Sequence, residues 1–540
     1  MAFCEQCGAK LSPGLRFCEE CGAAVEYEEE HKASEDFSSA IAGTSNGIFK
    51  SVDWEKSWSR VAASVAGDEL GLIITRERAL LDQIGKHDAR MESAYNGLIN
   101  AYVVAAKKRG VSYYYLNLED CAFYKGGGDV ESVVGALKKV VDIARPKYLM
   151  ILGNEDVIDV ARWKNLASDG DEIVESDICY STLDLNTPWG GQEYDFSQIM
   201  RVGRIPSFAG EGLESFSRYF ENAAKHIGGM KDIIPYGLSA LVWEDESNDE
   251  YKEVSKGKVD ASPSVTKNDV DKRIPSGANL LFFNLHGSDD TEFWYGQEGH
   301  SYPEAFAPSV LEGMENPYFI GVEACYGAKY IGGLSPTKSI VMMALRNKCM
   351  ALLGSSKIAF GTSRPKGVCA DIVVGDYIKY LVKGYSAGDA HIEGLKRLAA
   401  DRASMDDADV KTLAEFAIYG DPSARMGENN CAGGMKALIK GFGGAPKGLH
   451  IPMPDVRCAV QMALAEVDAK IEAVIDDYVL QNMMPDLKQV GLDVVDQKIF
   501  KMTNTGLNQK MYCHRLGNVK RVAKVYFYDK GRITKAIMSK

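Results

Sequence analysis

The sequence lacks any apolar run long enough to cross a membrane. In 540 residues no stretch approaches the ~20 consecutive apolar residues that a spanning helix needs, and the best run, Ser339 to Leu353, is broken by Arg346, Asn347 and Lys348. The first residues also lack the basic and apolar segments of a signal peptide. We therefore expect a cytoplasmic protein with no membrane partner.

The chain also lacks the cysteine spacing of a disulfide scaffold. Four of its 12 cysteines fall within the first 21 residues, and the others are scattered without a framework. Its composition is ordinary for a globular protein, with 46% hydrophobic residues, 25% charged residues and a net charge of −13. These values exclude disordered and fibrous classes, and the length predicts several domains.

The early cysteines form two Cys-x2-Cys pairs, Cys4 with Cys7 and Cys18 with Cys21, each followed by glycine. Two such pairs can close a tetrahedral site of four thiolates around Zn²⁺, with no open position for catalysis. The motif resembles the short zinc ribbons found at the start of many prokaryotic proteins. We predict a structural zinc ribbon over residues 1–26 and a linker over residues 27–49.

The central part of the chain alternates short β-rich apolar runs with helical segments, which predicts an α/β fold with a parallel sheet. The predicted strands are Leu70 to Thr75, Ser112 to Leu116, Tyr148 to Leu152, Leu238 to Val242, Leu280 to Leu285, Tyr318 to Val322 and Met350 to Leu353. The predicted helices are Arg76 to Lys108, Val130 to Ala144, Glu211 to His226, Ser335 to Leu345, Ala370 to Lys383 and Asp406 to Ile418. Reactive groups in such folds gather where strands end.

Two strand ends carry residues suited to nucleophilic catalysis. The run 280–285 leads to His286 and Gly287, and the run 318–322 leads to Glu323 and Cys325. If the two strands are neighbours in register, an imidazole and a thiol meet as a Cys–His dyad. The N–H groups of Gly287 and Cys325 could then form an oxyanion hole. The alternative, a strand-end histidine and an unrelated buried thiol, stays open on these residues alone.

Together these residues resemble the caspase-like cysteine peptidases, in which His-Gly and Ala-Cys follow successive strands, and most closely the gingipain family. Further motifs in the same order extend the resemblance over residues 68 to 426: Tyr148 to Asn154, Ser176 to Tyr180, Arg201 to Pro206, Leu352 to Ser356 and Tyr419 to Ser423. The resemblance implies a parallel-sheet sandwich of two subdomains, residues 50–230 and the catalytic residues 231–430. It also implies Cys325 as nucleophile and His286 as general base and acid. Unlike the secreted gingipains, this chain has the candidate zinc ribbon and a basic tail.

Four residues are candidates for substrate binding. Glu323 lies two residues before Cys325 on a strand, so both side chains share a face. In related peptidases an acid at this position accepts a basic P1 side chain, although an asparagine-specific branch also carries Glu there. The gingipains carry their specificity Asp on a segment that corresponds to Glu244 to Glu250, within which we select Asp249; a solvated loop is the alternative. Trp294 and Phe360 could line the pocket, or belong to the core.

The C-terminal region differs in charge from the rest. A linker is predicted over residues 431–453, followed over residues 454–540 by a helix and a small basic β module. From Lys498 onward, eight Lys and three Arg stand against Asp529 alone, a net charge of +10. This module could dock on an acidic protein surface in cis or in trans, bind nucleic acid, or have no specific partner. Apolar residues from Val460 to Tyr478 recur at helical spacing.

The sequence as a whole predicts a cytosolic cysteine endopeptidase that cuts protein substrates, through a thioester acyl-enzyme, after Arg or Lys. Latency until cleavage or partner binding belongs to this hypothesis. The alternatives are Asn specificity, or a catalytically silent scaffold that binds through the zinc ribbon and the basic module. A calcium ion between Asp184 and Asp195 is a second candidate metal, although the EF-hand spacing is absent.

Overall fold

The structure is a computed structural model that describes residues 47–65, 68–185, 199–226, 230, 232–331, 335–364, 366–400, 405–427, 462–464, 467–488, 491–502 and 507–540. The predicted zinc ribbon and the linker over 431–453 lie outside these residues. Across the described ranges, no helix combines the length and the apolar character that a membrane crossing demands.

The elements are numbered in chain order. The described strands are β1 Glu69–Thr75, β2 Val111–Asn117, β3 Tyr148–Leu152, β4 Ala161–Lys164, β5 Ile173–Ser176, β6 Arg201–Ile205, β7 Pro235–Ala240, β8 Asp260–Ser262, β9 Leu280–Asn284, β10 Trp294–Tyr295, β11 Glu304–Phe306, β12 Tyr318–Val322, β13 Cys349–Ser355, β14 Phe360–Gly361, β15 Phe416–Gly420, β16 Met462–Leu464, β17 Asp496–Met502, β18 Asn508–Leu516, β19 Val519–Phe527 and β20 Ile533–Ser539. The described α-helices are α1 Gly47–Lys50, α2 Trp54–Ser64, α3 Glu77–Ile84, α4 Ala89–Lys108, α5 Val130–Ile143, α6 Ile178–Thr182, α7 Glu214–Lys225, α8 Glu244–Tyr251, α9 Val270–Arg273, α10 Ile340–Arg346, α11 Ala370–Val382, α12 Ala387–Ala400, α13 Asp407–Glu415 and α14 Ala469–Asn482. Short 3₁₀ helices cover Leu118–Asp120, Leu241–Trp243, Pro308–Gly313 and Pro485–Lys488.

Ten strands form one continuous sheet in the order β2-β1-β3-β6-β15-β13-β12-β9-β7-β8. All neighbours pair in parallel except β13 and β15, which are antiparallel. The predicted α/β fold with a mostly parallel sheet is therefore confirmed. Strands β3, β9, β12 and β13 are buried along their whole length, as expected when helices cover both faces of a parallel sheet.

Two predicted helices have different bounds in the structure. The predicted helix 76–108 is two helices, because Gly85 caps α3 and the Asp88 side chain accepts hydrogen bonds from the N–H groups of Arg90 and Met91 to start α4. The predicted helix 406–418 ends at Glu415, and residues 416–420 form β15. This strand pairs with β6 on one side and β13 on the other, so it joins the two halves of the sheet.

The C-terminal region forms a six-stranded antiparallel sheet in the order β14-β20-β19-β18-β17-β16. Its first strand, β14, belongs to the central body, so this sheet is built on the body. The predicted helix 460–478 is wrong at its start, since Met462–Leu464 is a strand and Asp468 caps α14. The predicted apolar face is also displaced, because Ile475 and Val479 are buried while Val474 is 56% exposed.

Candidate active site

The parallel pairing of β9 and β12 brings the two predicted reactive residues to one edge of the sheet. Val322 lies opposite Phe283, and three residues beyond this pair each strand leads to its reactive side chain, Cys325 and His286. Both residues are buried, with 1% and 0% of their surfaces exposed. The strands are neighbours in register, which is the condition on which the predicted dyad depended.

The His286 ring is held from several sides. Its Nε2 atom lies 2.8 Å from Oε1 of Gln297, and its backbone exchanges two hydrogen bonds with Tyr295. The ring packs against Trp243, with ring centroids 4.3 Å apart, while Nδ1 has no hydrogen-bond partner within the described residues. Burial lowers the pKa of His286 to about 3, and the positive charges of Arg521 and Lys540 act in the same direction. The imidazole is therefore neutral and can accept a proton.

The Cys325 thiol is also neutral in this structure. Burial raises the pKa of Cys325 well above the value of a free thiol, and Sγ lies 3.6 Å from the Ala359 carbonyl oxygen, to which it donates. The following residue, Tyr326, has a φ of 52°, a left-handed conformation that makes the chain turn sharply directly after the thiol. A hydrogen bond of 2.5 Å from the Tyr326 hydroxyl to Asp171 stabilises this turn.

Gly287 lies directly against the backbone of Cys325. A Cβ atom at this position would stand 1.6 Å from the Cys325 carbonyl oxygen, so no other residue fits without a backbone shift. The N–H group of Cys325 donates to the carbonyl oxygen of Lys540 at 3.3 Å. A carbonyl oxygen therefore already occupies the position at which an oxyanion hole would bind one.

Behind the dyad lies a buried pocket of acidic side chains, which we call the acid pocket: Glu246, Glu250, Glu323 and Asp371. Glu323 follows β12, Glu246 and Glu250 lie on α8, and Asp371 lies in the first turn of α11. The N–H groups of Thr362 and Val368 both donate to Oδ2 of Asp371 at 2.9 Å. Burial raises the pKa of Glu323 to about 8, and burial together with the neighbouring carboxylates also holds the pKa values of Glu246 and Glu250 well above the usual range.

The acid pocket holds the side chain of Lys540. Its Nζ atom lies 2.8 Å from Asp371, 3.3 Å from Glu323 and 3.7 Å from Glu246. The ammonium also lies 4.6 Å from the centre of the Trp243 ring, within the range of a cation–π contact. Its three carboxylate neighbours keep the pKa of Lys540 above that of a free lysine in spite of burial.

The structure brings only some of the predicted substrate-binding residues to this pocket. Glu323 lines it, whereas Asp249 has a 37% exposed side chain paired with Lys252 on the outside of α8. Trp294 is a core residue that packs against Phe283 and Phe306. Phe360 contributes its backbone, because β14 pairs with β20 through Phe360 and Gly361.

Four residues at the pocket that sequence reasoning did not select are Glu246, Glu250, Asp371 and Trp243. A signal for Glu246 was present, since Glu246 and Glu250 are four residues apart and share a face if the acidic run is helical. No helix is predicted over this run from the sequence, so the spacing did not lead to the selection of Glu246. The signal for Asp371 is weaker, because it starts an ordinary amphipathic helix and only the tertiary fold brings it to the pocket.

The candidate metal sites are not part of this centre. Carboxylate oxygens of Glu246, Glu250 and Glu323 lie within 4.8 Å of one another and could hold a cation, but the Lys540 ammonium already occupies this pocket. The four ribbon cysteines and Asp195 lie outside the described residues. Of the residues in the described ranges, Cys121, Cys179, Cys325, Cys349 and Cys513 are free thiols.

Comparisons with known proteins show the family to which the chain belongs. Two solved structures are similar over 87% of this chain. The first is the Arg-specific cysteine proteinase gingipain R, of which 97% is covered, with a TM-score of 0.47 and 11% sequence identity. The second is described only as a protease; 96% of it is covered, with a TM-score of 0.41 and 11% sequence identity. A comparison with curated proteins finds no match. The family model of peptidase family C25 matches residues 87–427, more than half of the chain. The chain therefore belongs to peptidase family C25, a family of cysteine peptidases.

Proposed function

We propose that this cysteine peptidase is an endopeptidase that cuts protein substrates after lysine. The observation that carries the proposal is the position of Lys540, whose ammonium fills the acid pocket while its carbonyl oxygen accepts the N–H of Cys325. These atoms stand in for the P1 side chain and the scissile carbonyl of a substrate. The bond that follows such a carbonyl lies next to the thiol.

The arrangement of oxygens favours lysine over arginine at P1. Carboxylates of three separate residues converge on one point, which suits the compact ammonium and its three donors. A guanidinium prefers two coplanar oxygens from one carboxylate, and Oδ2 of Asp371 is already bound by two backbone N–H groups. Asparagine at P1 would bring no charge to offset the buried acids.

In the proposed reaction His286 takes the proton of the Cys325 thiol as sulfur attacks the scissile carbonyl carbon. The carbonyl oxygen becomes an oxyanion that the N–H groups of Cys325 and Gly287 stabilise. The protonated His286 then gives its proton to the leaving amine, and the C–N bond breaks to leave a thioester on Cys325. His286 next takes a proton from water, whose oxygen attacks the thioester and releases the acid and the thiol.

The basic module fits docking in cis better than binding of nucleic acid. Its cations pair with carboxylates of the central body: Lys524 with Asp407, Lys535 with Asp409, and Arg515 with Asp289, at 2.9 to 3.0 Å. Cations already paired in this way release few counterions on binding a phosphate backbone. We also propose that Cys4, Cys7, Cys18 and Cys21 bind a structural zinc ion, and that the protein is cytoplasmic.

Active-site labelling tests the proposed function. Acyloxymethyl ketone peptides with Lys, Arg or Asn at P1 are added to the full chain and to its Lys540→Ala variant. The Cys325→Ala variant is the control. Peptide mass spectrometry locates the labelled residue. We expect the Lys probe to label Cys325 fastest. Faster labelling by the Arg probe would contradict the pocket argument, and no label on Cys325 in either protein would contradict the enzymatic role.

A further inference from the structure

The C-terminal strand β20 enters the active site in the way that a peptide substrate would. Phe360 and Gly361 of β14 pair in antiparallel register with Ser539 and Met538 of β20. The pairing continues to the last residue, because the N–H of Lys540 donates to the Ala359 carbonyl oxygen at 3.0 Å. Addition of a strand to a sheet edge is a common way for a protein to bind an extended peptide.

Side chains on both sides of Lys540 also fit the cleft. The Trp243 indole N–H lies 3.4 Å from the Met538 sulfur, to which it donates, while the same ring faces the Lys540 ammonium. Ile537 is fully buried in one apolar cluster with Cys325 and Phe360. Backbone pairing, a filled acid pocket and a carbonyl at the N–H of Cys325 are together the features expected of a peptide bound in the cleft.

We propose that residues 536–540, the sequence Ala-Ile-Met-Ser-Lys, bind the active site in cis as a peptide ligand that holds the peptidase inactive. The proposal rests on the proposed function, since the acid pocket must be the P1 pocket. It also identifies a substrate class: extended segments with lysine at P1 and a long apolar residue, in the place of Met538, at P3. Access of substrate then requires β20 to leave β14.

Because residues 536–540 are tethered to the protein, even weak binding is sufficient to keep the active site closed for most of the time. A segment attached to the protein meets its site at an effective concentration on the order of millimolar. A product peptide with a dissociation constant of about 0.1 mM would therefore leave the site open for roughly a tenth of the time or less. The burial of His286 and Cys325, both of which are neutral in this structure, fits this closed state.

The test compares the full-length protein with its Lys540→Ala and Lys540→Met variants and with Lys530→Ala, an exposed lysine as matched control. The first readout is hydrolysis of a fluorogenic Ala-Ile-Met-Ser-Lys amide. We expect at least a 10-fold higher rate for both Lys540 variants and no change for Lys530→Ala. Equal rates for all four proteins would overturn the cis-ligand proposal while leaving the proposed function intact.

The second readout does not depend on catalysis. A labelled Ala-Ile-Met-Ser-Lys peptide with a free carboxylate is titrated into the Lys540→Ala variant and into the wild-type protein, and binding is followed by fluorescence anisotropy. We expect binding to the variant at least 10-fold tighter than to the wild type, and loss of binding when the lysine of the peptide is replaced by alanine. Equal binding to both proteins, or binding indifferent to the lysine, would overturn the proposal even if no variant hydrolyses any substrate.

Discussion

Replacement of Asp371 by asparagine tests the acid pocket most directly. Asp371 is the carboxylate closest to the Lys540 ammonium, at 2.8 Å, and it is fully buried. Removal of one partner from a buried ion pair costs about 3 kcal/mol or more, which corresponds to a rate change of roughly 100-fold. We therefore expect Asp371→Asn to lower the preference for a Lys substrate over an isosteric Met substrate by roughly 100-fold.

The assay measures kcat/KM for the two peptides in the Lys540→Ala background, so that the cis ligand does not compete. Glu246→Gln serves as a graded comparison, because Glu246 lies farther from the ammonium, at 3.7 Å, and we expect a smaller effect. Asp249→Asn is the matched control, since its side chain pairs with Lys252 at the surface. An equal loss for the Lys and Met substrates would refute the charge argument, as would an equal effect of Asp249→Asn.

Three further predictions concern acid stability, self-processing and zinc. The folded-state pKa of His286 is about 3, below the unfolded value of about 6.5, so the contribution of His286 to the free energy of unfolding is present above pH 6.5 and is lost as the pH falls. Between pH 7 and 4 we expect the wild type to lose roughly 3 kcal/mol more unfolding free energy than His286→Gln. Equal acid sensitivity of the two proteins in denaturant titrations would contradict this assignment. A reporter fused after Lys540 should be released with cleavage at Lys540, detected by intact mass, and should stay attached in Cys325→Ala; release from that variant would exclude self-cleavage. Elemental analysis should find one zinc ion per chain, lost when Cys4 and Cys7 are both replaced by serine, and zinc retained by that double variant would exclude the ribbon as its site.

That His286 and Cys325 follow neighbouring strands at one sheet edge was predictable, because it depends on strand order alone. The runs 280–285 and 318–322 are continuous and apolar, as buried parallel strands are, and the residues that follow such strands meet at one edge. The structure pairs these strands in register. The family was also predictable, because its short motifs follow these same strands.

The acid pocket was predictable only in part. Glu323 could be placed because i and i+2 residues share a face of a strand, but Glu246 depends on residues 244–250 being helical, and a run of acids with few apolar residues gives no periodic signal. Strand β20 was missed for a related reason. Its seven residues include a lysine and polar side chains, and its partner β14 has only two residues, so neither strand has a clear pattern of its own.

The position of β20 between β14 and β19 also determines the kind of polypeptide that the peptidase can accept. Met538 pairs with Gly361 on one side and with Ala523 on the other, so β20 lies inside a sheet and not at its edge. A polypeptide that takes the same place must offer both of its hydrogen-bonding edges at once. Neither a helix nor a strand of a folded domain can do this, because their backbone groups are already paired. If a substrate replaces β20 as proposed, we expect the peptidase to cut unfolded segments of a target protein, such as linkers and exposed termini.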